Sequence, residues 1–307
     1  MLPGFHIRGF TVKKVRLLLA ALPLVASGAM ACLNGYEEEI AGLMSRGSSD
    51  EIAQSVVRLE AEYKAAPTPE GANDLGVAQV LAGNYTRAVD VLSTLEKQHP
   101  GLSRTASNLG TALELAGRNK EALQWIKEGI RRDPADHQGT EWLHVKILEA
   151  RLALESDPAW LKRHTVLGMD FGTGPRPQIP AVLLQDHLGQ ARSLVEARKA
   201  ISYQLHERLK FVEAPNAVVG DLYFAWGNIA YVLGEELPPD YYRAALYFGA
   251  EHAPLIKLRA DQYESDQQGP SHPMAGWMWT AVALFLAAVA LFAGRAAYRK
   301  RRAILDA

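Results

Sequence analysis

Cysteine is nearly absent: Cys32 is the only one in 307 residues. No intrachain disulfide can form, so the fold rests on packing rather than on covalent staples. One thiol also excludes cysteine-based zinc sites, and none of the nine histidines falls in an H-E-x-x-H pattern. Asp186-His187 and His206-Glu207 are adjacent pairs, and neighbours along a helix do not share a face. A serine nucleophile elbow is missing. Gly172-Thr173-Gly174-Pro175 offers glycines but not the lysine of a phosphate loop, and its proline removes an N–H donor. Neither sign of charge is in excess, with 33 basic against 34 acidic residues. No metal, cofactor or small-molecule substrate is implied. No run of alternating apolar and polar residues reads as a series of strands.

What the chain does have is one stretch written twice. Leu75-Gly76 recurs 34 positions later as Leu109-Gly110, Ala78 as Ala112, Leu81-Ala82-Gly83 as Leu115-Ala116-Gly117, Ala88 as Ala122 and Pro100 as Pro134. Each copy reads as two helices, over 71–82 and 86–98, then 106–116 and 120–131. Gly83 and Gly117 supply the turns, because glycine takes positive φ without strain. Small residues at Gly76, Ala78, Gly110 and Ala112 let paired helices approach closely, and Leu92, Leu95, Leu123, Ile126 and Ile130 fill the space between. The pattern resembles the tetratricopeptide repeat, a helix–turn–helix unit that stacks into a solenoid. Gln79, Leu113 and Asn119 depart from its usual residues. The clearest copies span 69–102 and 103–136.

Two units do not make a stable stack, since about three or more are needed. Flanking helices are therefore expected. Ser48 and Glu51 form a capping box that opens a helix with Ile52, Val56, Leu59 and Tyr63 on one face, ended by Pro67 and Pro69. Residues 140–154 fall in register as a third first helix, with Leu143 in the Leu75 slot and His144 in the glycine position. Residues 221–234 and 241–250 read as a fourth pair around Trp226-Gly227, separated by an insertion over 235–240. Residues 184–212 read as one long helix or a broken pair, and 169–180 as an ordered loop or a partner-contact loop.

Both ends carry membrane signals. Arg8, Lys13, Lys14 and Arg16 precede an apolar run, and Ala29-Met30-Ala31 is a small-residue cleavage pattern, so 1–31 reads as a signal sequence. Lipid attachment at Cys32 and retention as an uncleaved anchor are the alternatives. Residues 276–294 carry no charge and, at ~1.5 Å per residue, span a ~30 Å hydrocarbon core. Trp277 and Trp279 mark one rim, and the basic tail 295–307 follows the other, which keeps it cytoplasmic. The expectation is an all-α chain: a signal sequence, a repeat domain over 32–265, a linker over 266–275 and a single inner-membrane span, with the repeats facing a bacterial periplasm. Removing the basic ends leaves the exported part acidic, which argues against nucleic acid.

The resemblance implies protein binding through the face lined by the first helix of each repeat. By repeat position that face is Asn73, Val77 and Val80, then Arg104, Ser107, Asn108, Thr111 and Glu114, then Gln138, Glu141 and Val145. Arg104 and Asn108 alone suit a carboxylate clamp, so extended or helical peptide segments of another envelope protein are the expected partners. Two rivals stand beside this scaffold reading. One is an envelope hydrolase with a site in 157–219, built on His164, Asp170, Asp186 and His187; Asp170-Phe171-Gly172 matches the kinase metal triplet in spelling alone. The other is a structural spacer.

Overall fold

The capping box at Ser48 sets the first boundary. Glu51 N–H donates to Ser48 Oγ at 3.3 Å and Ser48 N–H donates to Glu51 Oε2 at 2.7 Å, opening α1 (Ser49–Ala65). The computed structural model describes residues 47–268 together with Leu33, Gly35 and Tyr36. The expected signal sequence, membrane span and basic tail lie outside the described residues. Among the described residues, no helix is long and apolar enough to cross a membrane.

Among the described residues, ten α-helices follow one another, most of them joined by short turns. The first repeat is α2 (Pro69–Leu81) and α3 (Tyr85–Gln98); the second is α4 (Ser103–Leu115) and α5 (Asn119–Arg132). α2 starts two residues earlier than expected because Thr68 caps Gly71 N–H at 3.0 Å and Pro69 occupies the first turn, where a missing N–H costs nothing. Gly83 and Gly117 both sit at positive φ, +76° and +77°. The shared spacing has a shared physical cause. A Cβ on Gly76 would lie 2.6 Å from Leu92, and one on Gly110 2.6 Å from Ile126, so glycine is what lets each helix pair close. The same contact recurs where Gly227 faces Tyr242, at 2.5 Å. Leu75, Leu109 and Leu143 are all buried, each burial stabilising by about 1.5–3 kcal/mol.

The third unit is split. Its first helix, α6 (Glu141–Ser156), follows a one-turn 3-10 segment at Asp136–Gly139. Its partner, α7 (Leu194–Arg208), arrives only after a long insertion, and shares a core with α6 through Trp142, Leu143, Ile147, Ala197, Ala200 and Ile201. The helix expected from Leu184 does not form there. Leu184–Gln185 and Ala191–Arg192 pair instead as an antiparallel hairpin, β1 and β2. Asp186 makes the turn: Oδ1 accepts from Leu188 N–H and Gln190 N–H, both at 2.9 Å, and Gly189 takes φ +75°. A second capping box, Ser193 with Glu196, then starts α7.

The last pair is α8 (Ala217–Leu233) and α9 (Pro238–Tyr247), followed by α10 (Ala253–Gln267). α9 begins at Pro238, ahead of the expected Tyr241, because prolines fit a first turn. α10 runs into the expected linker, with Asp266 accepting from Tyr231 Oη at 2.5 Å and pairing with Arg176. Successive helices pack against one another, an arrangement consistent with a helical repeat solenoid.

Candidate functional site

The face expected to bind a partner is built but covered. Asn73, Val77, Val80, Asn108 and Val145 have no exposed surface, and Ser107, Thr111, Glu114 and Glu141 are also buried. Only Arg104 retains partial exposure on that face. Gln138 is not on it. It lies in the 3-10 turn with φ +58°, its carbonyl accepts from Lys199 Nζ at 3.2 Å, and it lines a separate cavity of about 530 Å³ with Tyr203, His206 and Trp226.

Two segments do the covering. Over the first repeat, Asn108 Nδ2 donates to Asn73 Oδ1 at 2.9 Å and Asn73 Nδ2 donates to Asp74 Oδ1 at 3.3 Å. The same Asp74 oxygen accepts from Tyr36 N–H at 2.7 Å, while Arg104 Nη1 donates to Gly35 C=O at 3.0 Å. Leu33 is fully buried in the core formed by α1 to α5.

Over the second and third repeats the end of α7 closes the face. Glu114 gathers three cations: His144 Nε2 at 2.6 Å, Arg208 Nη1 at 2.6 Å and Arg151 Nη1 at 3.1 Å. His144 Nδ1 lies 3.1 Å from Glu141, and His137 Nδ1 lies 2.9 Å from the same carboxylate. Gln204 Nε2 adds a hydrogen bond to Glu141 at 3.1 Å. Burial opposes the charges on Glu114, Glu141, His137 and His144, but the pairing outweighs it. Arg208 and His144 hold Glu114 well below the usual carboxylate range, and the two histidines do the same to Glu141. Both histidines are pushed up in turn, with Glu141 the largest favourable influence on each.

A second feature is built partly from the insertion itself. A cavity of about 550 Å³ is lined by residues of the 160–173 loop, by Asp221, Phe224 and Asn228 of α8, and by His252 and Arg259 around α10. It brings His164 and Asp170 to one wall. Asp186 and His187 are elsewhere, with Asp186 committed to the hairpin turn and to Arg192 at 2.7 Å. The hydrolase grouping is thus divided. The His164 ring stacks on Trp160 at 4.8 Å. Arg259 is buried and holds the loop by its carbonyls: Nε donates to Gly174 C=O at 3.2 Å, Nη2 donates to Phe171 C=O at 3.1 Å and to Gly172 C=O, and Nη1 donates to Asn228 Oδ1 at 2.7 Å. Asp221 is buried, accepts Val166 N–H at 2.8 Å, and is pushed by that burial up to about 7.

Sequence reasoning missed Asp74, Tyr36, Arg208, Asp221 and Arg259. One signal was present. A histidine in the slot that demands glycine in the neighbouring repeats has to find polar partners there, and His144 finds two carboxylates. Among the described residues, no cluster of histidine, cysteine, aspartate and glutamate is arranged to hold a metal ion. No protein-family model matches the chain, and no curated protein resembles it, so the reading of this face rests on its geometry.

Proposed function

We propose that the chain is a scaffold of tetratricopeptide type that binds a segment of another envelope protein along the face lined by α2, α4 and α6. The reading includes tethering by residues 276–294, with the repeats in the periplasm and the basic tail in the cytoplasm, which raises the local concentration of the scaffold near its partner. The observation that carries it is the pairing of sequence and packing. Residues repeated 34 positions apart are the ones that bring helices into contact, and the face lined by α2 and α4 already holds a backbone amide, between Gly35 and Tyr36.

The test is a photoreactive residue at Glu70, an exposed position one turn before Asn73 and Asp74, in the full chain in intact membranes. A discrete adduct with one envelope protein supports the scaffold. Absence of any adduct, alongside a reporter enzyme fused before residue 276 that works only in the cytosol, defeats it. The hydrolase alternative draws on the cavity holding His164, Asp170 and the perturbed Asp221, since shifted carboxyls gather at active sites. Among the described residues, no serine or cysteine lines that cavity. Loss of cellular function in His164→Ala, with the Glu70 adduct intact, would favour it.

A further inference from the structure

The covering of the first repeat is itself a recognition event. The carbonyl of Gly35 and the N–H of Tyr36 belong to one peptide group. Arg104 grips its oxygen at 3.0 Å and Asp74 its nitrogen at 2.7 Å, so a single amide is held at both edges. The Arg104 guanidinium also lies over the Tyr36 ring, 4.4 Å from its centroid, in a cation–π contact. Leu33, three positions before the tyrosine, is buried in the core. Asp74 is set for its task by Asn73, and Asn73 by Asn108, both through side-chain amides. Main-chain hydrogen bonds combined with pockets for spaced side chains are how proteins read extended peptides.

We infer that this face is a site for a short peptide segment carrying a bulky apolar residue followed three positions later by an aromatic one, and that the stretch bearing Leu33, Gly35 and Tyr36 is its tethered occupant, displaced when a partner binds. The inference rests on the scaffold reading and specifies its ligand and its regulation. The central contact falls on backbone, so the intervening residues are unconstrained by it, and the aromatic ring supplies selectivity through Arg104. A tethered occupant competes at an effective concentration on the order of 1 mM. A free peptide therefore meets a blocked site until the occupant is weakened.

The experiment uses the full chain in detergent and a fluorescein-labelled peptide reproducing residues 31–38, with serine at the cysteine position. Fluorescence anisotropy compares the native chain, the double variant Leu33→Asp/Tyr36→Ala, and that variant carrying Arg104→Ala as well. The double variant is expected to bind the peptide about 10-fold or more tightly than the native chain. Arg104→Ala is expected to abolish that gain, and a scrambled peptide not to bind. Equal binding to native and double variant, or none to a double variant that still unfolds cooperatively, overturns the inference. If the double variant does not fold, Tyr36→Ala alone decides: it leaves the backbone clamp, and no gain in affinity overturns the inference. Failure here with a persisting Glu70 adduct would remove the tethered occupant and leave the scaffold standing.

Discussion

Replacing Asp221 with asparagine should stabilise the protein, and more so as the pH rises. The carboxyl is buried on α8, faces a cavity, and accepts the Val166 N–H. Burial lifts it from an ordinary 3.8 to about 7, with the Val166 N–H pulling weakly the other way. The folded state thus binds this proton more tightly than the unfolded chain. That contribution is fully present below about pH 3.8 and is lost as the pH climbs through about 7. A gap of about three pK units corresponds to about 4 kcal/mol between the two limits. Asparagine cannot ionise, and its carbonyl oxygen can still accept from Val166. Urea unfolding of native chain and Asp221→Asn in detergent, at pH 5 and pH 8, reads the effect. The variant's advantage should grow by about 2–3 kcal/mol between the two, a widening of roughly 1 M in midpoint. Histidines titrate in both proteins and cancel in the difference. A gap between the proteins that does not change with pH, or a variant weaker at pH 8, would refute the reasoning.

Gly110→Ala should cost about 1–3 kcal/mol through overpacking, because its Cβ would fall 2.6 Å from Ile126 Cδ1 and 3.1 Å from the Ile126 backbone nitrogen; thermal melts in which the added Ile126→Val recovers nothing would count against packing as the cause. The protonated His137 and His144 add stability that is whole below about pH 6.5 and disappears as the pH rises through their raised values. His144→Gln should therefore be less stable than the native chain at pH 6 and show a shallower decline of unfolding free energy between pH 7 and 9, and an unchanged slope would contradict the seam. Arg208→Met should destabilise by about 3–5 kcal/mol, the cost of stripping a buried charge of a partner, measured by denaturant midpoint. Arg259→Met should release the carbonyls of Phe171, Gly172 and Gly174 and speed chymotrypsin cleavage after Phe171, a residue otherwise buried.

The repeats were legible because their constraint is local and size-based. Gly76 and Gly110 recur where helices touch, and the partners Leu92 and Ile126 stand at the same distance along the chain. Capping chemistry was equally readable at Ser48. The same signature at Ser193, followed three residues on by Glu196, marks where α7 begins, and the apolar periodicity through 184–212 hid it. The hairpin depends on one side chain, Asp186, bonding its own turn, which no periodicity reveals. Which face of α2, α4 and α6 points inward followed from the repeat. What covers that face did not, since Tyr36 comes from 38 residues away in sequence and Arg208 from 94. Arg259 carried no pattern at all: beside the Asn228 side chain, its partners are backbone carbonyls more than 80 residues distant.

Units cut to one template are interchangeable in principle, and arrays of them are prone to pairing with the wrong neighbour or with another copy of the chain. The charged seam removes that freedom. Glu114 is neutralised only by a helix that offers His144 and Arg151 and a second that offers Arg208. Shifting the stack by one unit would part that carboxylate from these three cations. The oily contacts make assembly favourable, and the ion cluster dictates its order.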